Sequence, residues 1–103
     1  MIWRKSTLDG YTCVFEFVDD LHAPDDAECK LDGCMVPDVR RILLDSSLRD
    51  DQERLHDVLV HECVHAVLWH EGREDEDEGL VDDLGKGLAQ LLRPVLKKPR
   101  FSK

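Results

Sequence analysis

The stretch VLVHECVHAVLWH, residues 58–70, contains an H-E-x-x-H motif at His61, Glu62 and His65. Four residues of α-helix make just over one turn, so both histidines project from the same face of a helix. Two imidazoles held in this way can bind one Zn²⁺, and Glu62, rotated onward by about 100°, reaches a metal-bound water better than the metal. The motif therefore predicts a hydrolytic zinc site, with His61 and His65 as ligands and Glu62 as catalytic base.

The same five residues also have a simpler interpretation. Three fixed residues in five can arise by chance, and histidine pairs four residues apart are common on solvated helix faces. Two features favour the metal site. Asp50 and Glu53 form a capping-box pattern that predicts the start of a long helix. Most of the remaining helix is apolar, so polar ligands embedded in it would be costly to bury without a partner such as a metal ion.

The composition is that of a small acidic globular protein. The chain has 103 residues, 42% hydrophobic and 36% charged, with a formal net charge of −9. This length predicts one domain with a single modest core. The negative charge would repel phosphate backbones, so no nucleic-acid partner is expected. The first residues lack the apolar run of a secretory signal and no segment reaches membrane-spanning length, so we expect a cytoplasmic protein without a membrane partner.

The four cysteines are expected to be reduced, as in most cytoplasmic proteins. Cys63 falls on the apolar arc of the predicted motif helix, where a small thiol fits. A second zinc site can be imagined from Cys13, His22, Cys29 and Cys34, but their spacing does not match a zinc-finger pattern. Packing in strands and turns is the expected role of these cysteines.

Before the motif, the pattern predicts strands and loops. Three segments combine β-branched, aromatic and apolar residues and are predicted as strands: residues 12–18, 28–36 and 39–45. The second of these is either one strand or a hairpin broken at Asp32-Gly33. Residues 19–27 are acidic, contain Pro24 and are predicted to form a loop.

Two helices are predicted after the strands. The first runs from about residue 51 to about residue 70 and is ended by Gly72. The second is expected to pack on the core through one apolar stripe, made of Leu80, Val81, Leu84, Leu88, Leu91, Leu92 and Val95. Pro94 is expected to end or kink it.

This order of elements predicts an α+β fold, with a small antiparallel or mixed sheet of about three strands packed on two helices. We assign residues 1–96 to this single domain. Residues 97–103 are expected to form a basic, flexible tail.

A catalytic zinc ion usually takes three protein ligands, so a third must be found. His70 lies five residues after His65, which turns it to the far arc of the helix. The longer pattern H-E-x-x-H-x-x-G-x-x-H also fails, because Leu68 and Glu71 stand where it requires glycine and a third histidine. A carboxylate from the second helix is therefore the expected ligand.

The acidic block at residues 74–78 offers that carboxylate. Glu78 flanks the apolar stripe on the same side as Gly85, which would permit a close approach to the first helix. Glu74 falls on nearly the same side one turn earlier and is the alternative. The other acidic residues of the block are expected on a solvated face or at the helix N-terminus, where the helix dipole favours them.

Two segments around the motif, LVHECVHAVL at residues 59–68 and EGLVDDL at residues 78–84, carry a resemblance to a known family. They resemble small phage and prophage zinc-metallopeptidase-like proteins, a minimal form of the ImmA/IrrE-type metallopeptidases. The sequence ILLD at residues 42–45 is similar to the family's strand before the motif helix, and the family's glutamate on the next helix maps onto Glu78. The resemblance spans roughly residues 39–92. It implies a minimal zincin fold, a zinc cofactor and, for a phage-derived protein, the cytosol of a bacterial host.

The predicted function is zinc-dependent hydrolysis of peptide bonds. Zn²⁺ held by His61, His65 and Glu78 would activate a water and polarise the carbonyl, and Glu62 would accept and deliver the proton. The peptide or protein substrate is expected to pair with an exposed edge of the sheet.

There are two alternatives to this function. In the first, the chain is a non-catalytic zinc-binding module that serves as a phage accessory or binds a partner. No motif places an oxyanion donor, for which Tyr11 and His22 are the only candidates, and this favours the module; Glu62 argues against it, because a structural zinc needs no base. The second alternative, a SprT-like protease linked to nucleic acid, is disfavoured by the net charge.

Overall fold

The computed structural model describes residues 1–73 and 78–96. The alternative ligand Glu74 and the tail predicted at residues 97–103 lie outside the described residues. The described part contains six strands and two α-helices, in the order β1 (Ile2–Leu8), β2 (Tyr11–Val18), β3 (His22–Ala23), β4 (Asp26–Lys30), β5 (Gly33–Val36), β6 (Arg41–Asp45), α1 (Gln52–His70) and α2 (Glu78–Leu96).

The main sheet has four strands in the order β1-β2-β6-β5. Strand β2 pairs in parallel with β6, and β6 pairs antiparallel with β5. A separate two-stranded hairpin is formed by β3 and β4. The α+β prediction is confirmed, and the sheet is mixed, but it has four strands where about three were expected.

The additional strand is β1, which the sequence analysis did not predict. It pairs antiparallel with β2 from Ile2 opposite Glu16 to Leu8 opposite Tyr11. The two residues between the strands, Asp9 and Gly10, have φ angles of 50° and 84°. An Asp-Gly pair in this left-handed conformation is typical of a tight hairpin turn, so the dipeptide was a usable signal. Strand β1 has no buried residue, and five of its seven residues are exposed, so its apolar pattern is weak.

The segment between β2 and β6 is more ordered than predicted. Residues 19–27, expected to be a loop, include β3 and the start of β4. The segment 28–36 is broken near Asp32-Gly33, as one of the two interpretations required, but the halves do not pair with each other. Strand β4 pairs with β3, whereas β5 joins the main sheet beside β6.

Asp45 fixes the end of β6 to this segment. Its buried carboxylate accepts hydrogen bonds from the backbone N–H of Leu21 at 2.9 Å, from Nζ of Lys30 at 2.8 Å and from Oγ of Ser47 at 2.5 Å. Burial raises the pKa of Asp45, but these hydrogen bonds outweigh it and hold the pKa well below the usual aspartate range. The carboxylate is therefore a structural anchor for the loop before β3.

Helix α1 lies across the sheet, and its bounds match the prediction. The core beneath it consists of buried residues of β2, β6, the 3-10 turn Ser46–Asp50 and α1: Phe17, Ile42, Leu44, Leu48 and Leu55. The predicted cap is wrong by one residue. Asp51, not Asp50, caps the helix by accepting from the N–H of Arg54, because Asp50 belongs to the preceding 3-10 turn. Gly72 follows the helix with a φ of +77°.

Helix α2 packs against α1, but of the predicted stripe only Val81 is buried. Its buried residues are Val81, Gly85 and Ala89, while most of the predicted stripe is exposed. The prediction failed because small residues let α2 approach α1 closely, which rotates the larger leucines outward. The helix continues to Leu96, two residues past Pro94. Neither helix has an apolar stretch long enough to cross a membrane in the described part of the chain.

Candidate metal centre

The structure brings together the three predicted ligands. Nε2 of His65 lies 3.1 Å from Oε1 of Glu78, and Nε2 of His61 lies 3.7 Å from the same oxygen. The ligand atoms of this group all lie within 4.8 Å of one another. Bond lengths of about 2.0–2.1 Å in a tetrahedral zinc site place neighbouring ligand atoms about 3.3 Å apart. The His61, His65 and Glu78 group therefore has the spacing and the chemistry to hold a metal ion.

The helical framework explains this convergence. The two imidazole rings lie 4.9 Å apart between centroids, as expected for histidines one turn apart on α1. Glu78 is the first residue of α2, so its side chain reaches across to α1 from the end of the neighbouring helix. A Cβ at Gly85 would lie 3.4 Å from Cα of His61. The predicted role of Gly85, a close approach of the helices, is confirmed.

Glu62 is buried at the same place. Its side chain is turned toward β5, and the backbone N–H of Met35 donates a hydrogen bond to its carboxylate. Burial raises the pKa of Glu62, and the nearby Glu78 raises it further, whereas His61 and the Met35 hydrogen bond lower it; the net direction is upward. A raised pKa makes this carboxylate a better proton acceptor than an exposed glutamate.

The close contact between β5 and α1 depends on Gly33. A Cβ there would lie 2.7 Å from Cγ1 of Val58 and 3.1 Å from Cγ of Glu62. Only glycine lets the strand pass this near to the helix without moving those side chains. Gly33 thus positions Glu62, a role that the sequence analysis did not assign.

Asp82 is a further residue that the sequence analysis did not single out. Its Oδ1 lies 3.4 Å from Nδ1 of His61, the ring nitrogen opposite the one that faces Glu78. A carboxylate behind a metal-binding histidine orients the ring and increases its basicity. The sequence could have indicated this role, because Asp82 follows Glu78 by four residues and therefore lies on the same face of α2.

A cleft of about 450 Å³ opens beside the group. Its walls come from α1, α2 and the start of β5, and they include His61, Glu62 and Gly33. Lys86 and Arg93 line the α2 side. Arg93 is paired with Asp57 at 2.5 Å, whereas Lys86 has no ion-pair partner among the described residues. The cleft is therefore lined by one of the three candidate ligands, His61, by the buried Glu62 carboxylate and by a lysine without an ion-pair partner among the described residues.

The two candidate oxyanion donors lie elsewhere. Tyr11 packs edge-on against His70, with ring centroids 5.8 Å apart, and Nδ1 of His22 lies 2.8 Å from the backbone oxygen of Asp20. His70 turns away from His61, as predicted, and its Nε2 lies 2.9 Å from Oδ2 of Asp9. Neither Tyr11 nor His22 lines the cleft.

The cysteines are separate from this centre. All four are free, and Cys29 is exposed. Burial, followed by the charges of Cys13 and Glu62, raises the pKa of Cys63 to about 11. No cysteine belongs to a metal-binding group in residues 1–73 and 78–96.

Comparisons of the chain with models of protein families, with curated proteins and with solved structures gave no match. The resemblance to ImmA/IrrE-type metallopeptidases therefore stays a prediction from the motif residues.

Proposed function

We propose that this chain is a zinc-dependent peptidase in which His61, His65 and Glu78 hold the metal and Glu62 acts as general base. The observation that carries the proposal is the placement of two histidines and a glutamate around one point, with a second, buried glutamate beside His61 in the adjoining cleft. Zinc in such a site lowers the pKa of a bound water and polarises a carbonyl. A purely structural zinc site would not need Glu62.

Glu62 moves the proton in this proposal. Its carboxylate lies near the Met35 N–H, and its raised pKa suits it to take a proton from water in the cleft. The same group then delivers the proton to the leaving amine. Its burial keeps bulk water from competing for these transfers.

The substrate backbone would pair with the free edge of β5. The N–H of Asp45 donates to the oxygen of Asp32 at 2.8 Å, which fixes the alternation along the antiparallel pair. Cys34 and Val36 then direct their backbone groups toward β6, and Gly33 directs its own outward. An extended peptide on this edge would pass the cleft that Gly33 and Glu62 line.

Lys86 is the proposed contact for negative charge that develops on the substrate carbonyl oxygen. It lines the cleft and has no ion-pair partner within the described ranges, so its ammonium group is available. Tyr11 and His22 do not reach this cleft.

A non-catalytic zinc-binding module is the second candidate. The observation that favours it is the position of Tyr11 and His22 outside the cleft, which leaves Lys86 as a flexible substitute for a fixed oxyanion donor. The two candidate functions share the metal-binding group, and only the peptidase would cleave peptides.

The test is zinc content together with cleavage of a broad peptide library. The purified protein should carry about one equivalent of zinc, as three-ligand sites do. We expect His61→Ala and His65→Ala to abolish loading, and His22→Ala, which lies outside the metal-binding groups of the described residues, to retain it. Full zinc in both His61→Ala and His65→Ala would overturn the metal site. Zinc binding without any cleavage by the wild type would favour the module.

The third ligand is tested in the same way. Glu78→Ala should lose most of the zinc, and the matched change Asp83→Ala on α2 should lose little. If Glu78→Ala retains zinc while Glu74→Ala loses it, the ligand lies one turn earlier and the chemistry is unchanged. No effect from either change would mean that the third ligand comes from another segment.

A further inference from the structure

Helix α2 presents a row of large apolar side chains to solvent. Leu80, Leu84, Leu88, Leu91 and Val95 are 42%, 42%, 40%, 73% and 72% exposed, and we call them the leucine stripe. They lie on one face because they are spaced four, four, three and four residues apart. The stripe is roughly 22 Å long at about 1.5 Å per residue. Contiguous apolar surface of this kind marks an interaction site.

Four of the five stripe positions face another stripe position when the helix is paired with a reversed copy of itself. In an antiparallel pair of α2 helices with a two-fold axis between residues 87 and 88, Leu80 lies opposite Val95, and Leu84 lies opposite Leu91. Leu88 then lies opposite Gly87. Such self-complementarity is what a closed two-fold interface requires, because each copy contributes the same surface.

Gly87 supports the same arrangement. Glycine inside an exposed helix costs up to about 1 kcal/mol relative to alanine. Within the described structure, nothing lies within 4 Å of a Cβ built at Gly87, so packing inside one chain does not require glycine. Opposite Leu88 of a second copy, however, the absent side chain leaves room for the leucine.

The charges of α2 favour the antiparallel orientation. Within the helix, Glu78 and Asp82 face the histidines of α1 and Arg93 is paired with Asp57, whereas Asp83 near the start is exposed. In the sequence, acidic residues at 74–77 precede the helix, and Lys97 and Lys98 follow it. Antiparallel copies bring the acidic start of one helix near the basic end of the other, whereas parallel copies would oppose like charges.

We propose that α2 pairs antiparallel with α2 of a second copy of this chain through the leucine stripe. The stripe and the face that carries Val81, Gly85 and Ala89 lie on different sides of the helix, so pairing leaves the His61 and Glu78 group open. A single helix pair buries less than the ~800 Å² per partner of a standard interface, so we expect a micromolar dissociation constant. This inference does not depend on the proposed peptidase activity.

Sedimentation equilibrium tests the pairing directly. At about 0.1 mM, well above a micromolar dissociation constant, the wild type should have twice the 11.9 kDa mass of one chain. Leu84→Glu and Leu91→Glu should each reduce the mass to that of one chain while circular dichroism shows the helices intact. The control Val39→Glu replaces an apolar residue that is 59% exposed outside α2, and should leave the dimer unchanged. A monomeric wild type, or a dimer that survives both stripe changes, would overturn the proposal.

Cross-linking tests the orientation. In a Cys29→Ser background, the double variant Leu80→Cys and Val95→Cys should form covalent dimers under mild oxidation, because these positions face each other in the antiparallel pair. Leu80→Cys alone should not, because its two copies would lie at opposite ends of the interface. Covalent dimers from Leu80→Cys alone, or none from the double variant, would contradict the antiparallel arrangement.

Discussion

Nδ1 of His61 lies 3.4 Å from Oδ1 of Asp82, while Nε2 of the same ring faces Glu78. With a metal on Nε2, Nδ1 would carry the proton, and its N–H could donate a hydrogen bond to Asp82. We therefore expect Asp82→Asn to weaken zinc affinity by about 10- to 100-fold without abolishing binding. Competition with a chelator of known affinity measures the change. Asp83→Asn on the same helix is the control, and an equal loss in both variants would mean that Asp82 acts only through the net charge of α2.

Gly33→Ala should destabilise the fold, because the added Cβ would lie 2.7 Å from Cγ1 of Val58 and 3.1 Å from Cγ of Glu62. Overpacking of this kind costs about 1–3 kcal/mol in the free energy of unfolding, measurable by urea denaturation. Gly87→Ala is the comparison, because its Cβ would enter open space in the described structure. At concentrations low enough to keep the chain monomeric, it should raise stability by up to about 1 kcal/mol. Equal stability of Gly33→Ala and the wild type would show that β5 can move away from α1.

Asp45 should make stability depend on pH at the acidic end. Its hydrogen bonds hold the folded pKa below the unfolded value of about 3.9, so its contribution is present above pH 4 and is lost as the pH falls through the folded pKa. At pH 7 we expect Asp45→Asn to lose about 1–3 kcal/mol of unfolding free energy, the cost of disrupting a buried hydrogen-bonded group. The gap between the two proteins should narrow as the pH falls below 4. Asp19→Asn, a change at an exposed residue, should have the same unfolding free energy as the wild type. If the difference between Asp45→Asn and the wild type stays constant with pH, the charge of Asp45 does not stabilise the fold.

One thiol should react quickly with a disulfide reagent at pH 8. Cys29 is exposed, whereas burial raises the pKa values of Cys13 and Cys34, and the pKa of Cys63 rises to about 11. Because the thiolate is the reactive form, the latter three should react slowly in the native protein. Cys29→Ser should remove the fast phase. A fast phase that persists in this variant would show that one of the other thiols is more accessible than its surroundings indicate.

The sequence predicted the parts of this structure that depend on local pattern. Helix α1 and the direction of His61 and His65 follow from a continuous helical stretch with clear limits, and Gly85 was predicted from its position beside Glu78 on the helical wheel. The Asp-Gly turn before β2 is also a local pattern, but the hairpin was not predicted because β1 has too few apolar residues to indicate a strand.

What could not be predicted depends on how the elements pack. A row of leucines on α2 normally marks a buried face, yet Val81 and Ala89 are buried and Leu84 is exposed. The partner helix decides which face of a helix is buried. Gly85 alone was not enough to predict which face of α2 packs on α1. The roles of Gly33 and Asp82 likewise exist only once β5 and α2 lie against α1.

The most direct test of the account separates metal binding from catalysis at Glu62. In Glu62→Gln the shape is kept and the proton-accepting carboxylate is removed, a group that typically supplies about 10²- to 10⁴-fold in rate. Zinc content and peptide hydrolysis should be measured on the wild type and Glu62→Gln prepared in parallel. If Glu62 is the base, Glu62→Gln should have the zinc content and thermal stability of the wild type and should lose the hydrolysis that the wild type shows. Loss of zinc from Glu62→Gln, or hydrolysis at the wild-type rate, would contradict the assignment of Glu62 as a base.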